Sequence, residues 1–257
     1  MGAPRQRKEA DLATLLTDAV QAHGVTVRHG SILAVDHVSL VVPRSTWFGI
    51  IGANGSGKTS LLRALCGRLP CQMESCLIDG AQLRALPRDR AERLGFMVPA
   101  EALPGPLTCE QVFRLVEPDR DRWRTRIGPV WDALGIDRML GRRIATCSAG
   151  MRQRIAIAAA LLSGRGAVIL DEPFNWLDPV AALDLRAALR MHVDSGATLI
   201  TALHDMITLS ACDSGILLGK GKVVKTLAPA DIAAGRTSPF AFERSLIDEL
   251  RSHSVLD

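Results

Sequence analysis

The chain has 257 residues, 47% hydrophobic and 23% charged, proportions of an ordinary globular protein that exclude a disordered or collagen-like chain. A formal net charge of +4, with aromatics at 4% and no Tyr, leaves neither a phosphate-neutralising surface nor a base-stacking platform, so no nucleic-acid partner is expected. The longest apolar run, residues 155–162, is far short of the about 18 residues that a bilayer span needs.

The first residues, MGAPRQRKEADLATLL, are basic but lack an apolar core and a small-residue cleavage site, and Gln6 stands where myristoylation prefers Ser or Thr. A cytoplasmic protein is the expectation. A short amphipathic stretch over residues 11–20 leads into a strand over residues 19–27 and a turn at His29-Gly30. Residues 35–42 read as a second strand, and the run WFGII at residues 47–51 as a short inner one. A helix is expected from Lys58 to Pro70, then a strand over residues 74–78 ending in the turn Asp79-Gly80. Residues 99–106, rich in Pro and Gly, read as a loop.

From Cys109 to about Leu140 the texture is helical, with Glu110 and Arg114 placed to pair one turn apart. The arginines crowded between Arg120 and Arg126 read as a solvated helix face. A helix from Met151 to Gly164 precedes the strand AVILD, and ATLITAL and GILLGKGKVV follow, before a polar C-terminal tail. Six cysteines, Cys66, Cys71, Cys76, Cys109, Cys147 and Cys212, are expected as free thiols; the gaps between the first three fit no zinc pattern.

The strand WFGII opens directly into Gly52-Ala53-Asn54-Gly55-Ser56-Gly57-Lys58-Thr59-Ser60, which satisfies G-x-x-x-x-G-K-S/T between a strand and a helix. A triphosphate chain is held by backbone N–H groups at a helix N-terminus, and glycines permit the tight turn and the close approach. Lys58 then reaches the terminal phosphates and Thr59 ligates magnesium. Farther on, AVILD ends in Asp171-Glu172. An acid at that strand tip suits a magnesium ion, and Glu172, pointing elsewhere, can polarise the attacking water. Taken alone, the pair also fits a strand that ends in a polar turn.

These two motifs, with Cys147-Ser148-Ala149-Gly150-Met151-Arg152-Gln153-Arg154 between them, resemble the nucleotide-binding domain of ATP-binding-cassette (ABC) proteins. Leu177-Asp178-Pro179 falls at that family's D-loop, and His204 at its switch histidine. The resemblance implies an α/β fold: a P-loop NTPase core with an antiparallel β subdomain and an inserted α-helical subdomain. It implies an N-terminal extension over residues 1–18, a cassette over 19–240 with its helical part at about 105–160, and a tail over 241–257. It also implies ATP and Mg2+ as cofactors. Ser148 and Gly150 would contact the γ-phosphate held by a second cassette, the chain acting as a homodimer, and His204 would bond the γ-phosphate. By themselves Ser148 fits an ordinary N-cap and His204 a satisfied strand-end histidine.

Two positions depart from the family. The phrase Gly95-Phe96-Met97-Val98-Pro99-Ala100-Glu101 lacks the glutamine that touches magnesium, leaving Glu101 either to reach the metal or to be a solvated loop residue. His29 stands where an aromatic such as Tyr stacks on adenine. The expected function is an ATPase that powers a separate transmembrane permease from the cytoplasmic face of the membrane, in the direction of export. The alternative is a soluble ABC ATPase gating a protein assembly or a translation-related interaction.

Overall fold

The structure, a computed structural model, describes residues 18–255. The amphipathic stretch expected over residues 11–20 lies mostly outside the described residues, and Asp18 already belongs to the first strand.

The WFGII run forms β3 (Trp47–Ile51), all five residues buried. A strand hydrophobic on both faces must be central, and β3 sits between β8 (Leu199–Leu203) and β9 (Ser214–Gly219), parallel to both. Beyond β8 lie β7 (Ala167–Asp171) and β6 (Leu94–Phe96), also parallel, and β10 (Lys222–Leu227) closes the other edge antiparallel to β9. A second, antiparallel sheet has the order β2-β1-β4-β5, from β1 (Asp18–His29), β2 (Ile32–Pro43), β4 (Ser75–Ile78) and β5 (Ala81–Gln82).

Alternation along the strands divides the core in two. Phe48 and Ile50 of β3 pack with the antiparallel sheet and with α1 (Lys58–Leu65), whereas Trp47 and Ile51 face the helical side. The helix expected to reach Pro70 stops earlier, because Gly67 takes the left-handed φ of +70°. On α2 (Pro87–Arg93) the buried Arg90 guanidinium donates to the carbonyls of Leu83, Arg84 and Ala64, tying the first sheet's loop to α1.

The helical insert comprises α3 (Cys109–Val116), α4 (Asp121–Ile127) and α5 (Pro129–Ala133); α3 and α4 stack on α6 (Ala149–Leu162), and α5 follows against α4. A capping box starts α3: Thr108 Oγ1 accepts from Gln111 N at 3.2 Å while Gln111 Oε1 accepts from Thr108 N at 2.9 Å. Phe113 meets Trp123 edge to face at 5.5 Å, and Trp131 completes the cluster. The arginine-rich face is exposed and paired: Arg114 reaches Glu110 at 2.8 Å, and Arg124 bridges Asp132 and Asp137. Arg126 differs from that expectation, being largely covered and bound to the buried Glu117 at 2.7 Å.

The remaining helices are α7 (Pro179–Asp194), α8 (Met206–Leu209), α9 (Pro229–Thr237) and α10 (Pro239–Val255). The last corrects the expectation of a polar tail: Phe242, Leu246 and Leu250 recur one turn apart and pack on the core, Leu246 completely. All six cysteines are free, five of them buried, and burial pushes the Cys66 and Cys76 thiols up to about 11. Among the described residues no helix is long and apolar enough to cross a membrane.

Candidate functional site

The C-terminal end of β3 turns through residues 52–57 into α1, whose first residue is Lys58. Gly57 has φ +102°, and a Cβ there would collide with the Ala34 carbonyl oxygen, so the loop can pass beneath β2 only as glycine. Lys58 is 4% exposed. Its Nζ donates to the Gly52 and Ala53 carbonyls at 2.7 and 3.2 Å, which folds the side chain back over its own loop. The buried Ser56 Oγ has no hydrogen-bond partner, a polar group on the loop with capacity to spare.

The tip of β7 comes to the same place, because β8 alone separates it from β3. Thr59 Oγ1 donates to Asp171 Oδ1 at 3.2 Å. Burial pushes the Asp171 carboxyl above its ordinary range, and Glu172 adds to that, while the Thr59 hydrogen bond and the Arg63 and Lys58 charges oppose it. A hydroxyl and a carboxylate side by side are hard oxygen donors, and a carboxylate whose charge is costly to bury gains from a cation; the pair fits Mg2+. Glu172 takes the left-handed φ of +48°, which swings its side chain away from that of Asp171 and to within 3.5 Å of Lys58 Nζ.

These groups surround one cavity of about 570 Å3. From the sequence-derived set, His29, Asn54, Gly55, Ser56, Gly57 and Lys58 line it, as do Thr59, Ser60, Asp171 and Glu172. Glu101 and Pro99 of the loop that lacks a glutamine also reach it. His29 is exposed at the rim, its Nε2 3.0 Å from Ser60 Oγ. Gly52 stands behind the loop, contributing its carbonyl to Lys58.

Ser148, Gly150 and His204 are not part of this cavity. Ser148 caps α6, its Oγ accepting from Met151 N at 3.2 Å. Gly150 lies against the Trp176 carbonyl, where a Cβ would approach to 2.7 Å. His204 follows β8 and is exposed. Gln153, Asn175 and Trp176 are among the lining residues to which sequence reasoning gave no role. Gln153 is buried and donates to the Glu172 carbonyl at 3.1 Å; Asn175 donates to Glu172 Oε2 at 2.8 Å; Trp176 is 73% exposed with φ +65°. The signal for Asn175 was its place three residues after Glu172, the span of one tight turn.

A phosphate-sized loop of backbone donors, a lysine, a hydroxyl–carboxylate pair and a separate carboxylate can bind a nucleoside triphosphate and direct water at its terminal phosphate. The chain matches the family model described as ABC transporter over residues 35–175. It is 29% identical over 219 residues to the probable multidrug ABC transporter ATP-binding protein YbhF of Escherichia coli, an alignment covering 84% of this chain but 38% of that protein. It is 30% identical over 224 residues to the hemin import ATP-binding protein HmuV of Pseudomonas fluorescens, covering 83% of this chain and 88% of the relative. A solved ATP binding subunit of an ABC transporter superposes with a TM-score of 0.77 at 25% identity, covering 91% of this chain and 99% of the other. The family match spans more than half of the sequence and contains both the glycine loop and the Asp171-Glu172 strand tip, so this chain belongs to the ABC transporter family as an ATP-binding cassette.

Proposed function

We propose that this chain binds and hydrolyses ATP to drive a transporter whose membrane-spanning part is a separate chain. The observation that carries the reading is the meeting of Lys58, Thr59, Asp171 and Glu172 at one cavity of about 570 Å3, a size suited to a nucleotide. The loop N–H groups and Lys58 take the β- and γ-phosphates, and His29 lies against the adenine. Thr59 and Asp171 hold Mg2+, which when bound offsets the negative charge of the phosphates. Glu172 accepts a proton from water as its oxygen attacks the γ-phosphorus. The bond from that phosphorus to the β,γ-bridging oxygen breaks, and ADP and inorganic phosphate leave.

Ser148 and Gly150 serve the γ-phosphate held by a second copy of the chain, and their place away from the chain's own cavity supports that division. His204, exposed beyond β8, approaches the γ-phosphate when the copies close. Closure and reopening are passed to a permease at the cytoplasmic face of the membrane. Export is the direction we assign, on the G-M-R-Q-R end of the signature.

The test is Mg2+-dependent phosphate release from ATP by the chain, alone and with the membrane protein that co-purifies with it, followed by ATP-driven efflux from vesicles containing both. Phosphate release that needs Mg2+ and rises with the membrane partner is the expected result. No release under either condition ends the reading, and ATP-driven uptake reverses the assigned direction.

A further inference from the structure

Glu172 is held more firmly than a carboxylate at the mouth of a cavity needs to be. Its backbone N donates to the Ala202 carbonyl at 3.2 Å, and its own carbonyl accepts from Gln153 Nε2 at 3.1 Å and from Asn175 N at 3.3 Å. Gln153 is 4% exposed on α6, so the main chain of Glu172 is pinned from the adjoining strand and from the signature helix alike. The left-handed φ of +48° persists for a residue with a long side chain because these bonds over-determine it.

The side chain has two anchors of different kinds. Lys58 Nζ stands 3.5 Å from Oε1, and Asn175 Nδ2 donates to Oε2 at 2.8 Å. The amide cannot be turned the other way, since that would set its carbonyl oxygen against a carboxylate oxygen. Lys58 is a poor permanent anchor, because it is also the cation that phosphates attract. Asn175 has no such second duty: it is neutral, half-buried, and placed by the tight turn that follows Glu172.

We infer that Asn175 is a positioning residue that fixes the Glu172 carboxylate by holding Oε2, leaving Oε1 as the oxygen that meets the attacking water. The inference rests on the reading of Glu172 as the base. With Oε2 bound, the side chain keeps one rotamer while Lys58 turns to the phosphates, so the reactive oxygen is in place before water is activated. A base misplaced by about 1 Å loses about 100-fold in rate, and the one hydrogen bond from the Asn175 amide to the carboxylate governs part of that.

The experiment measures single-turnover phosphate release with Mg2+ and ATP for the full chain and for Asn175→Ala, Glu172→Gln and the double variant, together with ATP affinity. We expect Asn175→Ala to be slower by about tenfold with ATP affinity within about twofold of the parent, since it touches the base and not the phosphates. In the Glu172→Gln background the same change should cost nothing more, because a residue that acts only through the base has no base left to place. Asn175→Asp keeps the shape and loses the donor; it should be slow as well, and it carries the test if the alanine variant does not fold. Parent-like rates in Asn175→Ala, or full additivity with Glu172→Gln, overturn the inference while leaving the base in place. A Glu172→Gln variant as fast as the parent removes the base assignment, and the inference with it.

Discussion

Lys58 and Glu172 face each other across the site at 3.5 Å, although one begins the helix after β3 and the other follows β7. Each is the other's nearest opposite charge, and Lys58 has its remaining donors on the Gly52 and Ala53 carbonyls. Replacing Lys58 by Ala removes the only side-chain cation seated within the glycine loop. Two charge-assisted hydrogen bonds at about 1.5–3 kcal/mol each place the expected loss of ATP affinity at about 100-fold or more. Calorimetric titration with ATP checks it, and unchanged affinity would mean that the phosphates bind elsewhere.

Glu172→Gln keeps the shape and the partner Asn175 but cannot take a proton. ATP binding should survive while phosphate release slows by about 100-fold or more. The uncleaved nucleotide should then hold two copies together. Sedimentation with ATP and Mg2+ reads this directly as a dimer; a monomer under those conditions argues that the second cassette is a different chain.

Asp171 gives a prediction in pH. Its carboxyl is pushed up chiefly by burial, so folding penalises the charged form relative to the unfolded chain. Below the unfolded value of about 3.9 the group is protonated in both states and costs nothing. As pH rises through the raised folded value the native site must accept a buried charge, and stability falls. Asp171→Asn should therefore melt higher than the parent at neutral pH, by about 2–4 °C per kcal/mol relieved, with the gap shrinking toward acid. Mg2+ with ATP should stabilise the parent more than the variant. Thermal melts across pH, with and without Mg2+ and ATP, decide both points.

The loop that lacks a glutamine offers a gain as well as a loss. Pro99 and Glu101 both line the cavity, Pro99 heading a single turn of tight helix over Ala100–Ala102. If Glu101 supplies the missing metal contact, Glu101→Ala lowers Mg2+-dependent turnover and leaves Mg2+-free ATP binding intact. Pro99→Gln should raise turnover, since an amide can reach an ion where a pyrrolidine ring cannot. Steady-state phosphate release for the two variants gives the answer, and equal rates throughout mean that this loop takes no part in turnover.

The parts of the site legible in the sequence were those set by local chain geometry. A glycine loop between an apolar strand and a helix, and an apolar strand ending in two acids, carry their meaning in consecutive residues, and both were found where expected. The grip on Glu172 was not legible, because Gln153 and Asn175 reach it through a left-handed turn and a neighbouring helix that no periodicity announces. The C-terminal helix was hidden for a different reason. Phe242, Leu246 and Leu250 form one narrow apolar row in a segment rich in charged and polar residues, too sparse to outweigh its charges until the core is there to receive them.

Of the four tryptophans, Trp47, Trp123 and Trp131 are buried, and Trp176 stands 73% exposed at the rim of the phosphate cavity. With no tyrosine in the chain, its ultraviolet emission is that of four indoles, three in apolar surroundings and one in water. A neutral quencher such as acrylamide therefore sees Trp176 almost alone, and Trp176→Phe should erase the quenchable, red-shifted component while sparing the rest. The unlabelled protein thus carries an optical gauge on its own site, one that dims or brightens as nucleotide or another cassette covers that indole.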